Sequence, residues 1–381
     1  PTEPRGPTTF TAGGAIAVQL IRGDISATGT GTVTYTDGPR VAAFGHPMFN
    51  VGELYLPIGT AEIHHILASQ ANSFKISSPL RTLGTLTQDR QTCIAGDTSE
   101  QSDMTPVRVR VAAQGQPEQR FAAEVARHRM LTPMLAASVA TNAAQTAASD
   151  VSDAVVQVRS QVTLRGYPPL SQIDHFYSRD GLSPRTLLGS TGMRQVAELL
   201  QNPFSPAQID RVEFDVQVDY RSEVADLVGL TLASEDLEPG TRPSLYVTLR
   251  PYNGAPYLRA VPFEVPRSLA GQTIKIEAAA GNLVRPEMAP PENLNDLVAN
   301  LRKGYGARSL IITITAPDEG VALRGALVPS LPASVIATLR PGASTRRADT
   351  YKRAARFVID MGGVITGKQE LTTRVRDDLR P

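Results

Sequence analysis

Five histidines, His46, His64, His65, His128 and His175, are the side chains of this sequence best suited to moving a proton near neutral pH. His46 has the most suggestive surroundings. It follows the apolar run Val41–Phe44, sits between Gly45 and Pro47, and comes shortly after an Asp37-Gly38 turn signal. A histidine just past a strand end can face a cleft and take the proton of a serine hydroxyl, the first step of serine-type acyl transfer. The competing reading is a turn histidine held by a backbone carbonyl. The residues alone leave both open.

The other chemistry-bearing types point elsewhere. His64 and His65 are adjacent, and on a strand neighbours point to opposite faces, so the pair is not expected to share an ion. No His-x-x-x-His spacing or carboxylate cluster accompanies them, and neither a metal site nor a cofactor is expected. Gly29 and Gly31 in "ATGTGTV" lack the G-x-G-x-x-G pattern and the following helix of a phosphate cradle. Ser77 and Ser78 precede Pro79 without the glycines that bring backbone N–H groups together as an oxyanion hole. Ser190 in "LGSTG" leads into a helix. The single cysteine, Cys93, is followed by Ile94 and Ala95 and reads as a packed side chain.

The elements that must position His46 are strands. "AIAVQLIRG" (Ala15–Gly23) alternates, "ATGTGTVTY" is β-prone, and Val41–Phe44 returns as its hairpin partner, leaving His46 at the end of the second arm. "TAEIHHIL" is read as a strand, "RTLGTLTQDRQTCIAGD" as short strands broken by turns, and "PVRVRVAA" as a cleanly alternating strand. Residues 1–14 read as a linker. Residues 15–150 form a β domain closed by the Ala-rich helix of Met130–Asp150. Residues 151–210 read as a mixed α/β helical connector, in which Thr191–Asn202 is a helix capped by Thr191. Residues 211–381 read as a β-sandwich, immunoglobulin-like, with one inserted helix in Pro291–Gly306. The fold class is therefore mainly β.

Composition narrows the function. Net charge is +1 with alternating signs, so no electrostatic argument favours nucleic acid. Aromatics are 5% with no Trp, which leaves little for base stacking. No apolar run approaches the ~20 residues of a membrane span. The chain opens Pro-Thr-Glu-Pro, which is read as the start of a processed chain or a fragment.

The first ~110 residues resemble the SpoIVB peptidase family of bacterial serine peptidases. "GTGTVTYTDGPRVAAFGHPM" is similar to the family's strand, turn and strand leading to a Gly-His pair. "PLRTLGTLTQDRQTCIAG" is similar to the Gly-rich strands that follow, with Gly84, Asp89 and Gly96 in matching places. The resemblance implies a chymotrypsin-like, barrel-like N-terminal domain and His46 as the catalytic base. The family's Gly-x-Ser-Gly-Ser-Pro nucleophile stretch and its preceding acidic residue have no counterpart here. In similar large exported proteins the serine stretch lies upstream of the Gly-His segment. "AEVARHRMLTPMLAAS" and "LYVTLRPYNG" are also similar to segments of those proteins.

Two functions follow. In the first, the chain is the C-terminal, histidine-bearing portion of a serine endopeptidase, self-processing in one version. Its serine comes from upstream, its substrate is a peptide or protein, and its own N-terminal fragment is a candidate partner. In the second, it is a non-catalytic, envelope-associated protein-binding or structural module of the same descent. Either way it is expected to be exported, to the periplasm or cell envelope, and to bind no nucleic acid. Carbohydrate binding by Tyr252 and Tyr257 ranks third, against tyrosines that pack on the sheet.

Overall fold

The structure is a computed structural model of the 381-residue chain. It describes residues 6–70, 73–148, 154–178, 182–220, 224–252, 254–323, 326–328, 334–335 and 350–377. Among these the fold is mainly β, with four α-helices. Two hydrophobic cores organise it.

The first core begins with a barrel. Its strands are β1 (Ala15–Gly23), β2 (Ala27–Asp37), β3 (Arg40–Ala43), β4 (Gly52–Leu67), β5 (Phe74–Asp89) and β6 (Ile94–Asp97). The pairing order β1-β2-β3-β6-β5-β4 returns from β4 to β1 through Ile16–Thr60 and Val18–Ile58, so six antiparallel strands close a ring. Closure pairs edges that would otherwise stay open. Ile16, Val18, Val33, Leu56, Ile58, Leu86 and Ile94 are all at most 1% exposed and fill the inside. The barrel expected for the N-terminal domain is present.

Strand β1 also does a second job. Its last residues, Ile21–Gly23, also pair with β8 (Gln119–Ala126), next to β7 (Met104–Ala113), Ile21 keeping Ala27 of β2 on its other side. The sheet continues through β11 (Ile209–Asp219), β9 (Ala154–Leu164) and β10 (Leu170–Ser178). α1 (Leu131–Ala147) lies on it and is buried on most sides, which its Ala side chains allow by letting the helix come close. α2 (Pro184–Leu188) and α3 (Thr191–Leu200) complete this layer.

Several boundaries differ from the sequence reading. Residues 151–210 are no separate connector, because β9 and β10 belong to the first sheet. β11, assigned above to the sandwich, pairs in parallel with β7 through Val212–Val107 and Val216–Val111. Its alternating buried face, Val212, Phe214, Val216 and Val218, suits either core, and the sequence pattern does not name the partner. The described part of the lead-in is ordered: Gly13 N–H donates to Val33 O, Val33 N–H donates to Gly14 O, and Phe10 packs on the first core. α3 is capped by Ser190, whose Oγ accepts from Met193 N, while Thr191 N–H donates to the buried Asp174 carboxylate. β5 runs unbroken through Pro79, at a point where its register against β4 shifts.

The second core lies between two sheets. One orders β15 (Tyr257–Pro262), β14 (Ser244–Pro251), β12 (Val224–Leu232) and β20 (Val364–Thr366). The other joins β13 (Asp236–Leu237), β21 (Lys368–Val375), β16 (Thr273–Ala280), β17 (Ser309–Leu323) and β18 (Ala326–Val328), with β19 (Thr350–Asp360) also on β17. Leu245, Val247, Ile276 and Ile312 meet between them, which is the expected sandwich. α4 (Leu294–Leu301), capped by Asn293, is the inserted helix, and it packs on the first core through Leu294, Val298 and Leu301.

Two half-buried histidines, His175 and His128, couple the stability of the fold to pH. Burial, then the nearby Arg308, holds His175 below its ordinary value of 6.5; burial, then Arg129, does the same for His128. Asp174 opposes this at His175. Below 6.5 the unfolded chain takes up protons that the folded chain resists, so the contribution is complete above 6.5 and is lost as pH falls. The melting temperature is expected to fall between pH 7 and pH 5, with a shallower fall in His175→Asn. An unchanged slope in that variant would remove His175 as a cause.

Candidate functional site

The loop that follows β3 is built to hold one shape. Phe44 has φ +72° and Asn50 φ +57°, both left-handed, and a bulky residue such as Phe44 rarely adopts that region. Contacts of three residues, Phe44, Met48 and Asp89, hold the strained backbone. Phe44 N–H donates to Thr32 O, and the Phe44 ring lies over Gly31, where a Cβ would come within 2.2 Å of it. Met48 lies over Gly29, where a Cβ would meet its methyl at 2.6 Å. The glycines of "GTGT" are therefore seats for a loop that folds back onto β2.

The third residue is Asp89, at the end of β5 and 0% exposed. Its Oδ1 accepts from Met48 N at 2.8 Å and its Oδ2 from Phe49 N at 2.7 Å. One buried carboxylate thus holds two consecutive amides just beyond His46. Charge-assisted bonds of this type are the stronger ones. Asp89 matched the family pattern above, and in the structure it acts on the loop backbone and not on the imidazole.

His46 itself is exposed, with its ring 5.5 Å from that of Phe44. Its Nδ1 lies 2.8 Å from Pro47 O. A carbonyl only accepts, so in the neutral ring Nδ1 carries the proton and Nε2 keeps its lone pair. The ring is held as the turn-histidine reading expects, and the same bond leaves Nε2 free as a base. No hydroxyl or carboxylate of the described residues bonds this ring.

The other candidates lie apart from it. Ser77 Oγ donates to Thr30 Oγ1 at 2.8 Å, Ser190 is spent as a helix cap, and Cys93 is half-buried in the turn between β5 and β6. Tyr252 stacks against Tyr177 at 5.1 Å, whereas Tyr257 is exposed on β15. His128 Nδ1 receives the Met130 amide at the start of α1.

One pairing was missed in the sequence. His64 Nε2 lies 2.7 Å from Ser78 Oγ across β4 and β5. The register shifts by one residue between Ile63 and His65, the mark of a β-bulge. His65 stands opposite Ile76, which shares a face of β5 with Ser78. The bulge therefore brings both histidines to one face, contrary to the simple alternation expected above. A run of Ile63, His64 and His65 carries no signal of a bulge. No group of three or more metal-ligating side chains occurs among the described residues.

A groove of about 450 Å³ runs along β3, the strand that leads to His46. Tyr35 and Tyr55 line it with Ala42 and Ala95, and Asp37 and Glu100 are among its charged residues. No helix among the described residues is long and apolar enough to cross a membrane. No family model matches the chain, no curated protein matches it, and no solved structure matches it.

Proposed function

We propose that this chain is the histidine-bearing portion of a SpoIVB-type serine endopeptidase, with His46 as general base. The observation that carries this reading is the Nδ1–Pro47 O bond on an exposed ring, which presents a free Nε2 on a loop fixed by Asp89. The serine is supplied by a polypeptide segment outside residues 1–381. Nε2 takes the proton from the serine hydroxyl as Oγ attacks the scissile carbonyl carbon, and it returns that proton to the leaving amine as the C–N bond breaks. The Pro47 carbonyl does what a carboxylate does in a full triad, holding the tautomer, but with less stabilisation of the imidazolium. The groove along β3 is the surface on which a substrate chain would lie. The work would be done outside the cytoplasm, on a peptide or protein. Fluorophosphonate labelling of the serine, with and without His46, tests the assignment.

A second reading has its own support. The far end of the β4–β5 hairpin exposes Leu67, Phe74 and Ile76 together, an apolar face suited to a protein partner in the envelope. On this reading, Phe74→Ser with Ile76→Ser abolishes capture of that partner from envelope extract and leaves serine labelling unchanged. Capture that survives the double substitution counts against it.

A further inference from the structure

The groove along β3 has aromatic walls and a floor of small side chains. Register places Tyr35 beside Ala42, and Ala42 beside Ala95, on one face of the sheet. Ala42 and Ala95 are short and half-buried, which leaves the hollow of about 450 Å³. Tyr35 of β2 and Tyr55 of β4 line it while 63% and 51% exposed, so both rings are open to a ligand. Neither ring has an aromatic or cationic partner among the described residues.

The charge of the groove is mostly negative. Three carboxylates, of Asp37, Asp97 and Glu100, line it with one cation, Arg40. Hydrogen bonds from the Ser99 hydroxyl and amide, then the charge of Arg40, hold Asp97 below its ordinary value of 3.8. Arg40 is thus set against Asp97, whereas Asp37 and Glu100 are exposed and have no hydrogen bond or ion pair among the described residues. The open rings and the uncompensated carboxylates are separate features, and both attract a cation. The tyrosine ring does so through the negative face of its π system, the carboxylate through its charge. The main chain of a ligand contributes little here. β3 has β2 on one edge and β6 on the other, so no further strand can pair with it. Side chains must carry the recognition.

We propose that the groove along β3 selects peptides that carry arginine or lysine, with cationic heads against the Tyr35 and Tyr55 rings and beside Asp37 and Glu100. Arginine suits it better than lysine, because a planar guanidinium stacks on a ring while its edge meets carboxylates. For the direction of the peptide the inference rests on the peptidase reading. His46 follows Arg40 by six residues, which is at most about 20 Å of extended chain. An extended substrate covers that span with about six residues of its own, so its cationic position lies within about six residues of the scissile bond. The groove thereby chooses the substrate at a distance from the chemistry.

The test is fluorescence anisotropy of the full chain, without a serine-bearing segment, with a fluorescein-labelled Gly/Ala decapeptide carrying three arginines. The same peptide with citrulline for arginine keeps the shape and loses the charge. The arginine peptide is expected to bind at least about tenfold tighter than the citrulline peptide at low ionic strength, and to weaken as salt is added. Asp37→Asn with Glu100→Gln is expected to remove most of that difference. Tyr35→Leu with Tyr55→Leu keeps an apolar wall without its π face, and is expected to weaken the arginine peptide by about fivefold. All four side chains are exposed, so the melting temperature is expected to hold in both variants. Absence of saturation by millimolar arginine peptide would overturn the proposal. So would equal affinity for the citrulline peptide, or binding that either double substitution leaves unchanged. Because no serine enters the measurement, the two readings separate. Arginine-selective binding beside labelling that ignores His46 keeps the groove and removes the peptidase. His46-dependent labelling without arginine-selective binding removes this inference alone.

Discussion

His46→Gln is expected to slow fluorophosphonate labelling of the partner serine by about a thousand-fold while leaving the melting temperature where it was. The serine-bearing segment must be joined to the chain or mixed with it for the measurement. Glutamine keeps much of the size of the ring but has no nitrogen lone pair to accept a proton, so the general-base contribution goes, and such contributions are worth about 10²–10⁴ in rate. The side chain is exposed, and an exposed substitution away from a cap or a core changes stability by only about 0.5 kcal/mol. The two readouts therefore separate loss of a proton acceptor from loss of the fold. Labelling that proceeds equally fast in His46→Gln removes the peptidase reading. Labelling that moves instead to Ser78, and depends on His64, would transfer the chemistry to the hairpin.

Asp89→Ala is expected to be the most damaging single change near the site. It leaves the amides of Met48 and Phe49 without their acceptor in a part-buried setting, and it leaves a small void at a fully buried position. A cost of about 2–4 kcal/mol follows from the unmade bonds. In melting terms this is roughly 5–10 °C. The same loss frees the backbone from Met48 onward, so serine labelling should fall even where the protein is still folded. Asp89→Asn keeps one acceptor oxygen and the volume, and is expected to lie between the two. A melting temperature unchanged in Asp89→Ala would show that the loop holds itself by Phe44 and Met48 alone.

Much of the barrel and of the sheet beside it could be read from local pattern. Ile16, Val18 and Leu20 alternate, the Asp37-Gly38 pair turns the chain, and β7 alternates Val107, Val109 and Val111. These are local signals with a period of two. α3 and α4 were visible through their apolar faces, although the cap fell one residue earlier, on Ser190. What was not legible is non-local. Nothing in residues 209–219 says that they join β7 and not the sandwich, since both partners offer a buried apolar face. The glycines at 29 and 31 read as part of a β-prone run, and only the fold shows Met48 and Phe44 resting on them. Asp89 was singled out by family pattern, but its role depends on amides about 40 residues away, which spacing alone does not reveal. The imidazole of His46 was legible as a candidate; the carbonyl that sets its tautomer was not, because the loop's positive φ angles decide where Pro47 O points.

The parallel pairing of β7 with β11 also has a cost in time. Val107 meets Val212, so the two rows are more than 100 residues apart in the chain. At about 5–20 residues per second, a nascent chain would hold the β7 edge without its neighbour for roughly 5–20 s. During that interval the backbone edge of β7 that awaits β11 is an open template for any passing strand, because β8 pairs only its opposite edge.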